Sequence, residues 1–216
     1  MDRQIIRRTF YLFVLFFLVA FVNAQETYTA IINTDNFKSS LLNASKNTKT
    51  IESEFIQVRS ISMLTDKVTS KGRFWFKKPN CIRWEYTSPY SYLIIMSRKK
   101  VFIKDDSSKK QFDTQSNKMF KELGVLMLSF IQGNISATEN DYTTTYSESS
   151  LHYYLKMIPL IAKQKETLSQ IDLYFDKTNY SVSNIKLTEP DGDYISIDFV
   201  NKTLNKDMSD DVFDFK

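Results

Sequence analysis

The 216-residue chain carries a net charge of +4, one cysteine and only four glycines, but 17 Phe, 12 Tyr and 2 Trp. So balanced a charge makes no case for nucleic acid, and a single cysteine, Cys81, excludes an intramolecular disulfide. The fold must be stabilised by its core alone, with Cys81 expected to serve as a small buried apolar residue in a strand.

The first residues read as an export signal. Arg3, Arg7 and Arg8 form a positive start, residues 9–22 (TFYLFVLFFLVAFV) an unbroken apolar run, and Val22-Asn23-Ala24 a cleavage site. Fourteen apolar residues fall short of the roughly 20 that span a bilayer, so cleavage rather than anchoring is expected. This divides the chain into a cleaved signal peptide, residues 1–24, and one mature domain, residues 25–216. Losing three arginines and Asp2 with the signal lowers the net charge from +4 to +2.

Thr34 or Asp35 is expected to cap a helix running to about Lys46, with Phe37, Leu41 and Ala44 on one face. From Thr50 the apolar period changes to two. Strands are expected over 51–63, 70–78, 82–87, 91–96 and 101–104. They are separated by the Thr65-Asp66-Lys67 turn, the Pro79-Asn80 break, the Arg98-Lys99-Lys100 turn and, after the last, the turn at 105–108. Asn117 is expected to cap a second helix, 118–132, closed by Gly133. Its Met119, Phe120, Leu123, Leu126, Met127, Phe130 and Ile131 form a wide stripe to be laid on a sheet. Five more strands follow near 142–147, 151–158, 168–176, 180–189 and 194–201, with hairpin turns at 176–179 and 190–193. The expected architecture is mainly β (α+β), one highly curved antiparallel sheet of roughly ten strands with helices against it.

The most telling stretch is GRFWFKKPNCIRWEYT, residues 72–87. Alternation puts Phe74 and Phe76 on one face, continued across the break by Ile82, Trp84 and Tyr86, with Trp75 on the other. A half-buried sheet would alternate apolar with polar, whereas this one is apolar on both faces. Pattern alone leaves a filled sandwich core and a lined hollow both open.

At this point the sequence resembles the periplasmic outer-membrane lipoprotein carriers, the LolA family. The resemblance rests on Gly72 to Tyr86 followed by Pro89 and Tyr92-Leu93-Ile94-Ile95, and on Phe55-x-Gln57 upstream. Downstream it continues through Leu173-Tyr174-Phe175-Asp176, Glu189-Pro190-Asp191-Gly192-Asp193, Asn201, Asn205 and Phe213-x-Phe215. It implies an incomplete β-barrel with an α-helical lid enclosing a hydrophobic cavity. The cavity candidates are Phe55, Phe74, Phe76, Ile82, Trp84, Tyr86, Met119, Leu123, Leu126, Met127 and Phe130. The family's gating arginine, which tethers the lid, corresponds here to Lys78.

The resemblance further implies a monomeric periplasmic chaperone without cofactor or metal. Such a carrier takes acylated lipoproteins from an inner-membrane lipoprotein-releasing transporter, shields their acyl chains and passes them to an outer-membrane acceptor. Other occupants fit the same hollow: a free lipid or glycolipid, an acylated precursor, or a lipoprotein sensed rather than carried. Catalysis has little support, because the sole histidine, His152, has no nucleophile motif beside it and no Gly-x-Ser-x-Gly elbow occurs. Asp105-Asp106 and Asp191-Gly-Asp193 read as turns rather than calcium ligands, and no adhesive repeat is visible.

Overall fold

The computed structural model describes residues 26–64, 66–97, 100–113 and 118–215, with 118–123 described by their backbone alone. The export signal, Thr65, Arg98, Lys99 and the expected Asn117 cap lie outside the described residues.

The described residues form twelve strands, most of them with alternating apolar residues, where about ten were expected. After β1 (Thr29–Ala30) and helix α1 (Thr34–Asn47) comes a meander of β2 (Thr50–Ser60), β3 (Val68–Lys77), β4 (Cys81–Ser88), β5 (Tyr92–Ser97), β6 (Lys100–Lys104) and β7 (Lys109–Asp113). After α2 (Lys118–Ile131) come β8 (Tyr142–Glu148), β9 (His152–Pro159), the short α3 (Ala162–Lys165), β10 (Gln170–Asp176), β11 (Val182–Thr188) and β12 (Tyr194–Leu204). One unclosed sheet results, in the order β1-β8-β9-β10-β11-β12-β2-β3-β4-β5-β6-β7, every pairing antiparallel.

Bulges bend the sheet into an open barrel: at Lys71/Gly72, at Tyr174/Phe175 and between Val200 and Thr203. Gly72 is required where β2 and β4 close on β3. A Cβ there would lie 2.1 Å from the Glu85 carbonyl oxygen and 2.4 Å from Phe55 Cζ. The two asparagines of the C-terminal resemblance hold left-handed positions, Asn201 at φ 53° and Asn205 at φ 60°. Asn205 ties the end of β12 to the entry of β2, donating its N–H to Thr50 O and accepting from Lys49 N.

Both helices lie on the concave side. The cap of α1 is Asn33, whose side chain accepts from Asn36 N at 2.9 Å, not Thr34 or Asp35. All three residue types suit the role, so the pattern alone misplaced it by one position. Phe37 and Leu41 are buried as expected. Helix α2 ends in the paired bonds of a Schellman motif, Asn134 N to Ser129 O and Gly133 N to Phe130 O, with Gly133 at φ 63°. Leu41 packs directly on that glycine, so the end of α2 lies against the middle of α1.

Three expectations need correcting. The strand read as 51–63 stops at Ser60, because a turn bonds Leu64 N to Ile61 O and leaves Met63 93% exposed. Strands β1 and β7 were unanticipated: one has two residues and the other, KKQFD, no alternation. Cys81 is only half-buried, since it opens β4 beside the Pro79-Asn80 break, with Sγ 3.5 Å from Ser97 Oγ.

A latched interior

The register sets the inner face: Phe74 opposes Trp84 and Phe76 opposes Ile82, while β2 brings Phe55 alongside. Phe55, Phe74, Phe76, Ile82 and Trp84 thus share one buried cluster, with Tyr86 at its margin. Ring centroids lie 4.9 Å apart for Phe55–Trp84 and 5.3 Å for Phe74–Trp84. Gln57, the polar member of the Phe55-x-Gln57 pair, accepts from the Tyr86 hydroxyl at 2.8 Å. Burial, then the neighbouring Tyr90, pushes the Tyr86 phenol up to about 12.

A second cluster, built on β9, β10 and β11, receives Phe37 and Leu41 from α1 and Leu126 and Phe130 from α2. Met127 and Phe199 touch both clusters and form the seam between them. Of the cavity candidates, only Met119 and Leu123 have side chains outside the described residues. Phe199 went unnoticed in the sequence, although Ile195-x-Ile197-x-Phe199 is a regular inward alternation.

The apolar residues on the opposite, convex face are covered by the C-terminal segment. Arg83 lies over Trp75 and donates to Val212 O at 3.2 Å, and Phe215 stacks on Phe102 with centroids 4.9 Å apart. The double-sided apolarity therefore serves two coverings, helices inside and the tail outside.

The helices are held to the β3–β4 turn by side-chain donors. Lys78 Nζ donates to Ser45 O at 2.7 Å and Lys46 O at 2.8 Å, carbonyls of the last turn of α1, of which Ser45 O also accepts from Thr48 N. A cation is favoured there because the helix dipole ends in negative charge. Gln132, just past α2, donates to Pro79 O at 2.6 Å, and Ser45 Oγ donates to Gln132 O. Three sites thus tie β3–β4, α1 and α2 into one latch.

Beside the latch, at the seam, is a cavity of about 30 Å³. That holds water but is far below the roughly 300–1,000 Å³ of a small-molecule pocket. The interior is filled by its own side chains while the latch is closed. Ile51, Phe74, Ile131 and Phe199 supply the apolar wall, and Ser45, Thr48 and Ser181 a polar rim.

Lys202 also lines this cavity, donating to Ser181 Oγ at 2.7 Å and Val182 O at 2.6 Å. Burial lowers its pKa to about 8 against the opposing pull of the Asp176 carboxylate. Simple alternation hid this residue: Phe199 points inward, and the bulge after Val200 reverses parity, so that Lys202 and Leu204 point inward too. Trp84 Nε1 is buried without a hydrogen-bond partner among the described residues.

The acidic turns are occupied locally. Asp105 accepts from the Ser107 and Ser108 N–H groups and hydroxyls, which hold its carboxyl down at about 2, and Asp193 accepts from Ser62 N. No group of three or more potential metal ligands occurs among the described residues. No helix among them is long and apolar enough to cross a membrane.

An open β-barrel with a helical lid over an aromatic interior is the class of fold that these elements define. Residues 46–216 match the family model described as "Outer membrane lipoprotein carrier protein LolA", and the chain belongs to that family. It is 25% identical over 179 residues to an outer-membrane lipoprotein carrier protein of Francisella tularensis, covering 82% of each chain. To the protein of the same name from Methylococcus capsulatus it is 22% identical over 167 residues, 77% of each. Among solved structures, the Pseudomonas aeruginosa MucA/MucB complex shares the fold at a TM-score of 0.51 and 10% identity, over 85% of this chain and 62% of the other.

Proposed function

We propose that the protein is a periplasmic chaperone that carries lipoproteins by enclosing their acyl chains between the sheet and helices α1 and α2. The observation that carries this reading is the latch: an aromatic interior closed by side-chain hydrogen bonds onto helix ends, not by a continuous backbone. The lipoprotein enters from an inner-membrane releasing transporter and leaves to an outer-membrane acceptor, and no bond is made or broken.

Burying one methylene is worth about 0.8 kcal/mol, so an acyl chain of about fifteen has roughly 12 kcal/mol to gain. A permanently open hollow would hold it too tightly to release. Here the cargo displaces helices that already cover Phe74, Trp84 and Phe199, so its affinity is the difference between two burials. Handover then needs only a modest competitor. Met127, touching both clusters, suits an interior that repacks around different tails.

Purification of the mature protein from its native envelope, followed by mass spectrometry of co-purifying proteins and lipids, tests the proposal. Acylated lipoproteins in near-stoichiometric amount are expected. Recovery without any acylated species, after stabilising the complex by crosslinking, would overturn it.

A further inference from the structure

Lys202 is a cation where an apolar carrier has no need of one. The seam cavity is amphipathic, with Phe74, Ile131 and Phe199 on one side and Ser45, Thr48 and Ser181 on the other. Lys202 lines it from the inward side of β12. Its ammonium has three donors, of which Ser181 Oγ and Val182 O engage two. Both partners are neutral. The acid nearest in its electrostatic surroundings, Asp176, is turned to its own loop, where Oδ1 accepts from Thr178 N at 2.7 Å. A largely buried cation whose hydrogen-bond acceptors are both neutral has only the through-space pull of Asp176 to offset its burial, with no ion pair among the described residues.

The lipid end of an acylated lipoprotein, a thioether-linked glyceride with an amide, carries no negative charge for this site. We propose that Lys202 anchors an anionic headgroup, so that the interior also accepts free single-chain anionic amphiphiles. The tail lies beneath α1 and α2, and the carboxylate or phosphate takes the remaining donor of Lys202 at the polar rim. Ser45 lines this rim and gives its carbonyl to the Lys78 latch, so the headgroup arrives where the helices part. This rests on the enclosing interior argued above, and adds a ligand class to it.

Displacement of N-phenyl-1-naphthylamine from the mature protein by three sixteen-carbon compounds at pH 7 decides the matter. These are palmitate, hexadecyl phosphate and the neutral hexadecanol, each below its micellar concentration. At least one anion is expected to bind about tenfold or more tighter than the alcohol, the worth of one charge-assisted hydrogen bond. The tighter anion identifies the headgroup as carboxylate or phosphate. Lys202→Met should bring anion affinity down to that of the alcohol, whereas Lys202→Arg should keep a preference for anions. Equal binding of anions and alcohol by the unaltered protein would overturn the anchor while leaving the enclosing interior standing. So would a preference that survives in Lys202→Met. Failure of all three compounds to displace the dye would sink the enclosing interior and the anchor together.

Discussion

Replacing Lys78 by methionine keeps the apolar stem and removes the two donations to Ser45 O and Lys46 O. Hydrogen bonds to a charged group are worth about 1.5–3 kcal/mol each when well buried. Lys78 is only part-buried, and exposed ion pairs fall to about 0–1 kcal/mol, so solvent screening reduces the sum. The helix dipole adds about 0.3–1 kcal/mol. Together these give about 1–2 kcal/mol for the latch, a factor of about 5–30 in the population of the open form. Amide hydrogen exchange reads that population directly. In Lys78→Met the amides of α1 should exchange about 5–30 times faster, while those of β10, which carries the fully buried Leu173 and Phe175, stay unchanged. Lys78→Arg should slow α1 exchange below that of the unaltered protein, because a rigid planar fork loses less freedom than a mobile ammonium in holding the same two carbonyls. Exchange in α1 within twofold of the unaltered protein in both variants would refute the latch.

Gly72→Ala should destabilise the fold by about 1–3 kcal/mol or more, since its Cβ would collide with backbone at Glu85 as well as the Phe55 ring. A urea midpoint unchanged by the substitution would show that β3 can shift away from β4 at no cost. Lys202 makes a pH prediction of unusual sign. Its folded pKa, about 8, lies below the ordinary 10.5, so between these values the unfolded chain binds more protons and stability rises with pH. The gain reaches at most about 3 kcal/mol. Subtracting the pH profile of Lys202→Met, measured by urea unfolding, isolates it from the other groups that titrate in the same range. A flat difference from pH 8 to 10.5 would place Lys202 in water.

How far the site could be read in advance depended on parity. Phe74, Phe76, Ile82 and Trp84 were legible because a strand alternates with period two and the β3–β4 pairing keeps that phase through the break. The C-terminal end of α2 was legible because Gly133 has a left-handed conformation that other residues resist. Lys202 was not, because a bulge reverses phase and its one local sign is Asn201, a residue that tolerates the left-handed conformation but does not require it. Edge strand β7 was hidden for another reason. Lys109-Lys110-Gln111-Phe112-Asp113 has no apolar face and is held by pairing with β6 across the turn that Asp105 organises. Lys78 was identifiable as a residue, but its partners are backbone carbonyls exposed only because α1 ends there.

The latch, the seam and the buried cation meet at the end of α1, and this makes opening and loading one event rather than two. Ser45 contributes its carbonyl to Lys78, its hydroxyl to Gln132 O and its surface to the cavity that Lys202 lines. A displacement of Ser45 that widens the cavity must stretch its bond from Lys78. With lysine in place of arginine, the latch is the weaker of the two possible closures. Retained cargo must therefore owe more to its own burial and less to the lid. A weak latch over a filled interior favours frequent opening with little hollow to protect between openings, as the proposed carrier role requires.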